Sequence, residues 1–158
     1  WDTMNMWSNP PLEFLEKEIS PFPDWVAWHA LISPKLGLYE TKVTALGADT
    51  FRVRLTVENT GWLPTYVTKK ALEKKVTRGV IAEISLPKGA KLESGKDREE
   101  LGELEGRAYK PVMADESAES TWDRVKFEWV VKAKKGTKVK LSARHDRAGV
   151  VKAEVVLK

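Results

Sequence analysis

The sequence contains no cysteine and only two histidines among its 158 residues. Without cysteine, disulfides and thiolate metal sites are excluded. Neither His29 nor His145 has a glutamate three residues away, so the chain has no zinc-ligand pair of that spacing. It also lacks a Gly-x-Ser-x-Gly elbow and a glycine-rich phosphate loop. The sequence therefore predicts no catalytic residue, no metal site and no cofactor in this chain.

Long apolar runs are absent as well. No run approaches the roughly 20 residues that a membrane-spanning helix requires, so we predict no membrane segment. No signal-peptide pattern opens the chain either, and its first residue is Trp1, not methionine. We therefore expect the chain to be a piece of a longer protein, and its localisation stays open.

The charge is of mixed sign. Lysine and arginine number 27 against 23 aspartates and glutamates, which gives a net charge of +4. Between Lys138 and Arg144 the basic residues alternate with apolar ones, which is typical of the solvent face of a strand. Nucleic-acid surfaces usually combine a basic stripe with exposed aromatics or a recognisable module. We predict no nucleic-acid partner.

Residues 9–33 have the pattern of two short helices. Asn9 suits an N-cap, Ser20 and Pro21 interrupt the pattern, and Asp24 suits the cap of a second helix. In that second helix Trp25 and Trp28 share a face with His29 and Ile32. We predict a helical arm over residues 1–35.

From Leu36 the apolar period changes to two. The clearest run is Phe51–Val57, in which Phe51, Val53, Leu55 and Val57 alternate with polar residues. Similar runs recur at turn-separated intervals with no long helix between them, which favours two packed antiparallel sheets. We predict an immunoglobulin-like β-sandwich of about seven strands over residues 36–158. Further strands are expected from Leu36 to Ala45, Val80 to Leu86, near Leu101–Ala108, Val125 to Val131, Val139 to His145 and Val151 to Leu157, with a short helical turn capped by Thr68 and extending to Lys75.

Seven tryptophans are the one compositional excess. Trp129 is in register with apolar neighbours and is predicted to lie in the core. Trp62 and Tyr66 follow the Phe51–Val57 strand in a loop that also contains Pro64. Two interpretations of this loop stay open. It folds back over the end of the sandwich, or it presents aromatics to a sugar or a neighbouring domain.

Four stretches together resemble the C-terminal region of bacterial zinc carboxypeptidases of the carboxypeptidase A superfamily. The resemblance spans nearly the whole chain and is specific to this branch of the superfamily. The stretches are Phe22-Pro-Asp-Trp-Val-Ala-Trp-His-Ala-Leu-Ile-Ser-Pro-Lys-Leu36, Glu58-Asn-Thr-Gly-Trp-Leu-Pro-Thr-Tyr-Val67, Leu92-Glu-Ser-Gly-Lys96 with Leu101-Gly-Glu-Leu-Glu-Gly106, and Ala143-Arg-His-Asp-Arg-Ala-Gly149.

The resemblance implies that residues 1 to about 33 are the tail of an upstream catalytic domain and that the remainder is a non-catalytic accessory sandwich supporting it. Zinc would belong to that upstream domain, because its ligands have no counterpart here. The catalytic domain is the implied partner in cis, with Trp62, Tyr66, Trp25 and Trp28 as candidate interdomain or ligand contacts. The alternative function is a glycan- or cell-wall-binding module that uses the loop aromatics. The apolar arm also suggests a homodimer of the isolated chain.

Overall fold

The computed structural model describes residues 11–107 and 122–158. The chain divides into a helical unit that ends at Ile32 and a β-sheet unit from Ser33 to Lys158. The predicted N-cap Asn9 lies outside the described residues.

The helical unit contains α1 (Leu12–Ile19) and α2 (Phe22–Ile32). Pro11 occupies the N-cap position of α1, with an extended backbone and no side-chain cap. The prediction that Asp24 caps the second helix is wrong, because α2 begins two residues earlier and Asp24 lies in its first turn. A proline in the first turn of a helix loses no intrahelical hydrogen bond, so Pro23 permits this earlier start. A carboxylate in that turn still complements the helix dipole.

The described part of the β-sheet unit contains eight strands in two four-stranded antiparallel sheets, and one short helix. The predicted antiparallel sandwich is confirmed, with one strand more than the approximate seven. The elements are β1 (Leu36–Gly47), β2 (Thr50–Asn59), α3 (Lys69–Glu73), β3 (Val80–Ser85), β4 (Lys91–Ser94), β5 (Arg98–Leu101), β6 (Arg124–Lys132), β7 (Lys138–His145) and β8 (Gly149–Val156).

The order of the strands gives the sandwich its immunoglobulin-like topology. One sheet has the order β1-β2-β6-β4, and the other has the order β5-β3-β7-β8. Immunoglobulin constant-type domains place strands A, B, E and D in one sheet and C, F and G in the other. The first order matches A, B, E and D, and β3, β7 and β8 match C, F and G. The additional strand, β5, lies between D and E in the sequence and pairs with strand C. The fold class predicted from the sequence is therefore observed.

The core lies between the two sheets and has the period-two pattern expected from the sequence. Val53 pairs with Trp129 and Leu55 pairs with Phe127 across β2 and β6, and all four side chains are at most 1% exposed. Strands β3 and β7 of the facing sheet contribute six further side chains to the core. These are Val80, Ala82 and Ile84 of β3 and Val139, Leu141 and Ala143 of β7.

Two predicted elements differ in extent. The strand expected near Leu101–Ala108 lies earlier, because β5 ends at Leu101 and the next residues, Leu104 and Glu105, form backbone hydrogen bonds with Thr65 and Trp122 outside the strands; Ala108 lies outside the described residues. Thr68 does cap α3, accepting a hydrogen bond from the Ala71 backbone N–H at 3.2 Å. The helix ends before Lys75, which has a positive φ of 52°.

Candidate functional site

The loop predicted from the aromatic and proline residues covers one end of the sandwich. We call residues 59–67 the aromatic loop and residues 102–107 the facing segment, because the two stretches are joined by backbone hydrogen bonds. The Thr65 N–H donates to the Leu104 carbonyl at 2.9 Å. The aromatic loop is thus held against the domain, as the first interpretation of its sequence predicted.

Asn59 fixes the start of the aromatic loop. Its side chain is buried, and its Oδ1 accepts hydrogen bonds from the backbone N–H groups of Lys35 and Gly61, both at 3.0 Å. Its Nδ2 donates to the carbonyls of Leu63 at 2.8 Å and Glu105 at 3.2 Å. One amide side chain therefore satisfies four backbone groups from three separate parts of the chain, which buried polar groups require.

Two glycines allow the backbones to approach closely at this end. A Cβ atom added at Gly106 would overlap the carbonyl oxygen of Trp62, and one added at Gly61 would overlap the carbonyl oxygen of Ser33. Real Cβ atoms do not approach backbone oxygens so closely, so both positions require glycine unless the backbone moves. The peptide that bears Trp62 is therefore packed directly against the facing segment.

The aromatic loop presents one aromatic ring to solvent, not two. Trp62 is 54% exposed, whereas Tyr66 is only 8% exposed. The Tyr66 hydroxyl donates to the Glu105 carboxylate, whose two oxygens lie at 2.8 and 3.0 Å. Because the ring of Tyr66 is buried, the predicted pairing of Trp62 and Tyr66 as an exposed platform does not form.

A second exposed tryptophan lies on the other side of the facing segment. Trp122 is 58% exposed, and its carbonyl accepts a hydrogen bond from the Glu105 N–H at 2.9 Å. The backbones of Trp62 and Trp122 thus contact adjacent residues of the facing segment. No sequence pattern singles out Trp122, because it follows an acidic stretch without periodicity and lies before the start of β6. The excess of tryptophan was the one available signal.

Behind the aromatic loop lies a buried polar cluster of Thr65, Glu103 and His145. Glu103 Oε2 accepts a hydrogen bond from the Thr65 hydroxyl at 2.6 Å and lies 2.9 Å from His145 Nε2. The Arg147 backbone N–H donates to His145 Nδ1 at 3.1 Å. Because Nδ1 accepts this bond, Nε2 is the ring nitrogen that faces Glu103 as a donor. His145 is therefore a packed, hydrogen-bonded residue at the end of β7.

The candidate contacts of the arm lie on α2. Trp25 and Trp28 are 57% and 54% exposed. The ring of His29 lies 3.9 Å from the Trp25 ring centroid and 5.1 Å from that of Trp28, and its Nδ1 is 3.0 Å from the Trp25 carbonyl oxygen. The predicted shared face of these three residues is therefore formed, and the two indoles remain open on one helix.

Within residues 11–107 and 122–158, no three acidic or histidine side chains are grouped so that they could hold a metal ion. None of the helices in this part of the chain is long and apolar enough to span a membrane.

A comparison with models of protein families identifies the family of this chain. Residues 35–156, which comprise the whole sandwich, match the model of a domain of unknown function, DUF8731. The chain belongs to this family. A search of curated proteins finds no significant match. Among solved structures, the DUF8731 domain is similar to the crystal structure of the GAE domain of GGA2p from Saccharomyces cerevisiae, with a TM-score of 0.46 and 14% identity over 80% of this chain and 91% of that chain.

Proposed function

We propose that this DUF8731 domain is a non-catalytic accessory domain that packs, through the end bearing Trp62 and Trp122, against the catalytic domain of a zinc carboxypeptidase. Zinc and the catalytic residues belong to that upstream domain. The observation that carries the proposal is an exposed indole on a fixed backbone. Trp62 is more than half exposed, yet its own peptide is packed against Gly106.

A fixed, exposed tryptophan suits a protein contact for a physical reason. Tryptophan has only two side-chain torsions and a large apolar surface, and such residues dominate the binding energy of many interfaces. Ordering a mobile loop costs free energy on binding, and a preorganised loop avoids that cost. The hydrogen bonds of Asn59 supply this preorganisation.

The link to a carboxypeptidase is supported by the sequence resemblance described above. The stretch from Glu58 to Val67, which carries part of that resemblance, is the aromatic loop itself. The stretch from Leu101 to Gly106 includes most of the facing segment. Two resembling stretches that are distant in the sequence therefore meet at one end of the fold.

The test begins with the gene region upstream of Trp1, in which we expect a His-x-x-Glu pair and a later histidine. In the full-length enzyme, Trp62→Ala should lower the thermal unfolding midpoint of the catalytic domain or change its substrate range. The matched control is Val150→Ala, since Val150 is 59% exposed elsewhere on the sandwich. The absence of a zinc-ligand set upstream, or equal behaviour of both variants and the wild type, overturns the proposal.

The arm gives a second contact in the same proposal. Trp25 and Trp28 lie exposed on α2, together with the exposed side chains of Val26 and Leu31. An apolar patch of this kind is typical of a surface that another protein covers. We expect the isolated chain to dimerise through this patch and the full-length enzyme not to do so. Sedimentation of both proteins, with Leu31→Glu as the disrupting variant, checks this expectation.

The alternative function is glycan binding by Trp62, because its exposed ring is able to stack on a sugar. Because Tyr66 is buried, Trp62 is the one aromatic ring of the aromatic loop that is able to contact the sugar. Titration of the isolated chain with peptidoglycan fragments, followed by tryptophan fluorescence, measures it. Saturable binding that Trp62→Ala abolishes would favour the glycan module over the peptidase contact.

A further inference from the structure

Residues 69–78 hold the whole net positive charge of the chain. This basic segment comprises α3 and the residues that follow it, with five basic residues and one acidic residue, Glu73. Its net charge of +4 equals that of the complete chain, so the other residues are neutral overall. The side chains of its basic residues are all exposed, and they are those of Lys69, Lys70, Lys74, Lys75 and Arg78.

The charges of the basic segment have no ion-pair partners. Several basic side chains of β2, β6 and β7 form ion pairs, but none of the basic segment does so with a residue that the structure describes. Lys70 and Lys74 lie one helical turn apart, and like charges at that spacing repel each other. Lys75 lines a depression together with Glu100 and Glu103, whereas the other four basic residues do not. An external anionic partner would therefore relieve a repulsion that the fold leaves in place.

The turn after α3 has a lysine at a position where glycine is usual. The Lys75 N–H donates to the Leu72 carbonyl, and the Val76 N–H donates to the Ala71 carbonyl, both at 3.0 Å. These two bonds define a Schellman motif, in which one residue has a left-handed backbone and is most often glycine. That residue is Lys75, with a φ of 52°. A positive charge thus lies where the backbone alone favours glycine.

The same turn presents two apolar side chains to solvent among the charges. Leu72 is 46% exposed and Val76 is 70% exposed, more than any other large apolar side chain in the described part of the β-sheet unit. In a Schellman motif the residue at the position of Val76 frequently packs back onto its helix. Apolar side chains that protrude among lysines are typical of a surface that enters the interface of an anionic bilayer.

We propose that the basic segment docks this domain on a bilayer that contains anionic lipids. Each lysine or arginine near such a surface strengthens binding by about fivefold, provided that it lies within a Debye length of the head groups. Leu72 and Val76 enter the boundary between head groups and acyl chains. A bilayer accepts protruding side chains without a shaped pocket, which favours it over a folded acidic protein. This inference does not rest on the peptidase proposal.

The direct test is co-sedimentation of the 158-residue chain with vesicles of phosphatidylcholine and phosphatidylglycerol in equal parts. Vesicles of phosphatidylcholine alone are the matched probe, and we expect them to bind at least about tenfold more weakly. Salt at about 1 M, which shortens the Debye length to about 3 Å, should release most of the bound chain. No binding to the anionic vesicles, or equal binding to both kinds, overturns the proposal.

Charge variants locate the surface. Replacing both Lys69 and Lys70 by glutamine should weaken binding to the anionic vesicles about 25-fold, since each charge contributes about fivefold. The matched control replaces both Lys134 and Lys135 by glutamine. These two exposed lysines are also adjacent and lie between β6 and β7, so the control has the same net charge. Equal weakening by the two double variants contradicts the proposal, because net charge alone would then govern binding.

Two single variants test the turn itself. Lys75→Gly should retain or raise the thermal unfolding midpoint, because glycine adopts the left-handed backbone without strain, and should weaken vesicle binding by about twofold to fivefold. Val76→Ser should weaken it about fivefold by removing apolar contact with the lipid. The control is Val150→Ser, at a similarly exposed position on β8. Undiminished binding in both Lys75→Gly and Val76→Ser overturns the proposal.

Free phosphate and an acidic protein are the other anionic partners to distinguish. Glycerol phosphate should displace the chain from anionic vesicles no more than sodium chloride does at the same ionic strength. Stronger displacement assigns the basic segment to a free phosphate. Binding of poly-glutamate without binding of vesicles assigns it to an acidic protein, and either result overturns the membrane proposal. Trp62→Ala should leave vesicle binding unchanged, which distinguishes the basic segment from the proposed peptidase contact.

Discussion

The interior of the sandwich and its end with the aromatic loop are both buried, but they are stabilised differently. In the interior, Phe127 and Trp129 pack among aliphatic side chains, and the indole N–H of Trp129 donates to the Lys96 carbonyl at 2.8 Å. At the end, Asn59, Thr65 and His145 are equally buried but polar. Apolar packing is nondirectional, whereas each buried hydrogen bond requires a partner in one geometry. The stability of the interior therefore depends on how completely its side chains fill the available volume. The stability of the end depends on individual hydrogen-bond donors and acceptors.

The largest effect that tests this comparison is expected in the interior. Trp129→Ala should lower the free energy of unfolding by roughly 3–5 kcal/mol, because it removes a large buried aromatic side chain and leaves a cavity. Trp129 has no exposed surface in the fold. Urea unfolding of the isolated chain, followed by circular dichroism, measures the change.

Trp62→Ala is the matched control for that loss. It removes the same side chain from a position that is 54% exposed. We expect the isolated chain to lose less than about 1 kcal/mol, as exposed substitutions usually do. Equal losses for the two tryptophans would show that the side chain of Trp62 stabilises the fold as much as a core side chain does, which its exposure contradicts.

The second effect is expected at the polar end. Asn59→Ala should cost about 2–4 kcal/mol, because it leaves two backbone N–H groups and two carbonyls without their partner. Hydrogen exchange should also become faster at Gly61, whose N–H donates to Asn59. The measurements are chemical unfolding and amide exchange by NMR.

Thr60→Ala is the corresponding control. Thr60 follows Asn59 in the chain, and its hydroxyl donates to the Lys35 carbonyl at the exposed surface, at 3.0 Å. Water is able to replace that bond, so a loss below about 1 kcal/mol is expected. A comparable loss for both variants would mean that burial is not what makes the Asn59 bonds important.

The same contrast explains what the sequence could predict. The interior follows from alternation alone, because a period of two assigns each residue of β2 and β6 to one face of a sheet. Phe51, Val53, Leu55 and Val57 are all buried as predicted. The prediction works because any apolar side chain on the inner face contributes to the core, whichever residue it faces.

The end could not be predicted in this way, because its bonds join residues that are far apart in the sequence. Thr65 and Glu103 are 38 residues apart, and Glu103 and His145 are 42 apart. Periodicity identifies a face but not a partner. Glu103 lies outside any alternating run, so no local pattern marks it. The sequence places Tyr66 in the correct loop, but its hydroxyl bonds to Glu105, which no pattern connects to it.

A third, smaller effect tests how closely the two backbones at this end must approach. Gly106→Ala should cost about 2 kcal/mol or more, because its Cβ would overlap the Trp62 carbonyl and overpacking of this kind is destabilising. The control is Gly102→Ala in the same segment, where a Cβ would meet no atom within 4 Å. We expect Gly102→Ala to be neutral within about 0.5 kcal/mol. Thermal unfolding of both proteins measures the difference, and a neutral Gly106→Ala would show that the aromatic loop is not rigidly placed.

The smallest effect is expected on the solvent face of the sheet that contains β2 and β6. This face belongs neither to the interior of the sandwich nor to the end with the aromatic loop. Arg54 and Glu128 are cross-strand partners, with 2.9 Å between Arg54 Nη2 and Glu128 Oε1. The hydrogen bond from Arg54, with a further one from Lys126, lowers the pKa of Glu128 below its usual 4.5. A carboxylate with a lowered pKa in the folded state stabilises the fold above its usual pKa, and this contribution is lost as the pH falls through the lowered value.

Glu128→Gln should therefore reduce stability at neutral pH by no more than about 0.5 kcal/mol, because the pair is about one-third exposed and screened by solvent. The difference from the wild type should shrink as the pH falls below 4.5. In an Arg54→Gln background the same substitution should have a smaller effect, since the largest cause of the pKa shift is gone. Unfolding curves between pH 3 and 7 for the four proteins measure this cycle. The Glu128 and Asn59 sites differ mainly in burial. If Glu128→Gln reduced stability as much as Asn59→Ala does, hydrogen bonds on the exposed face would contribute as much as those at the buried end.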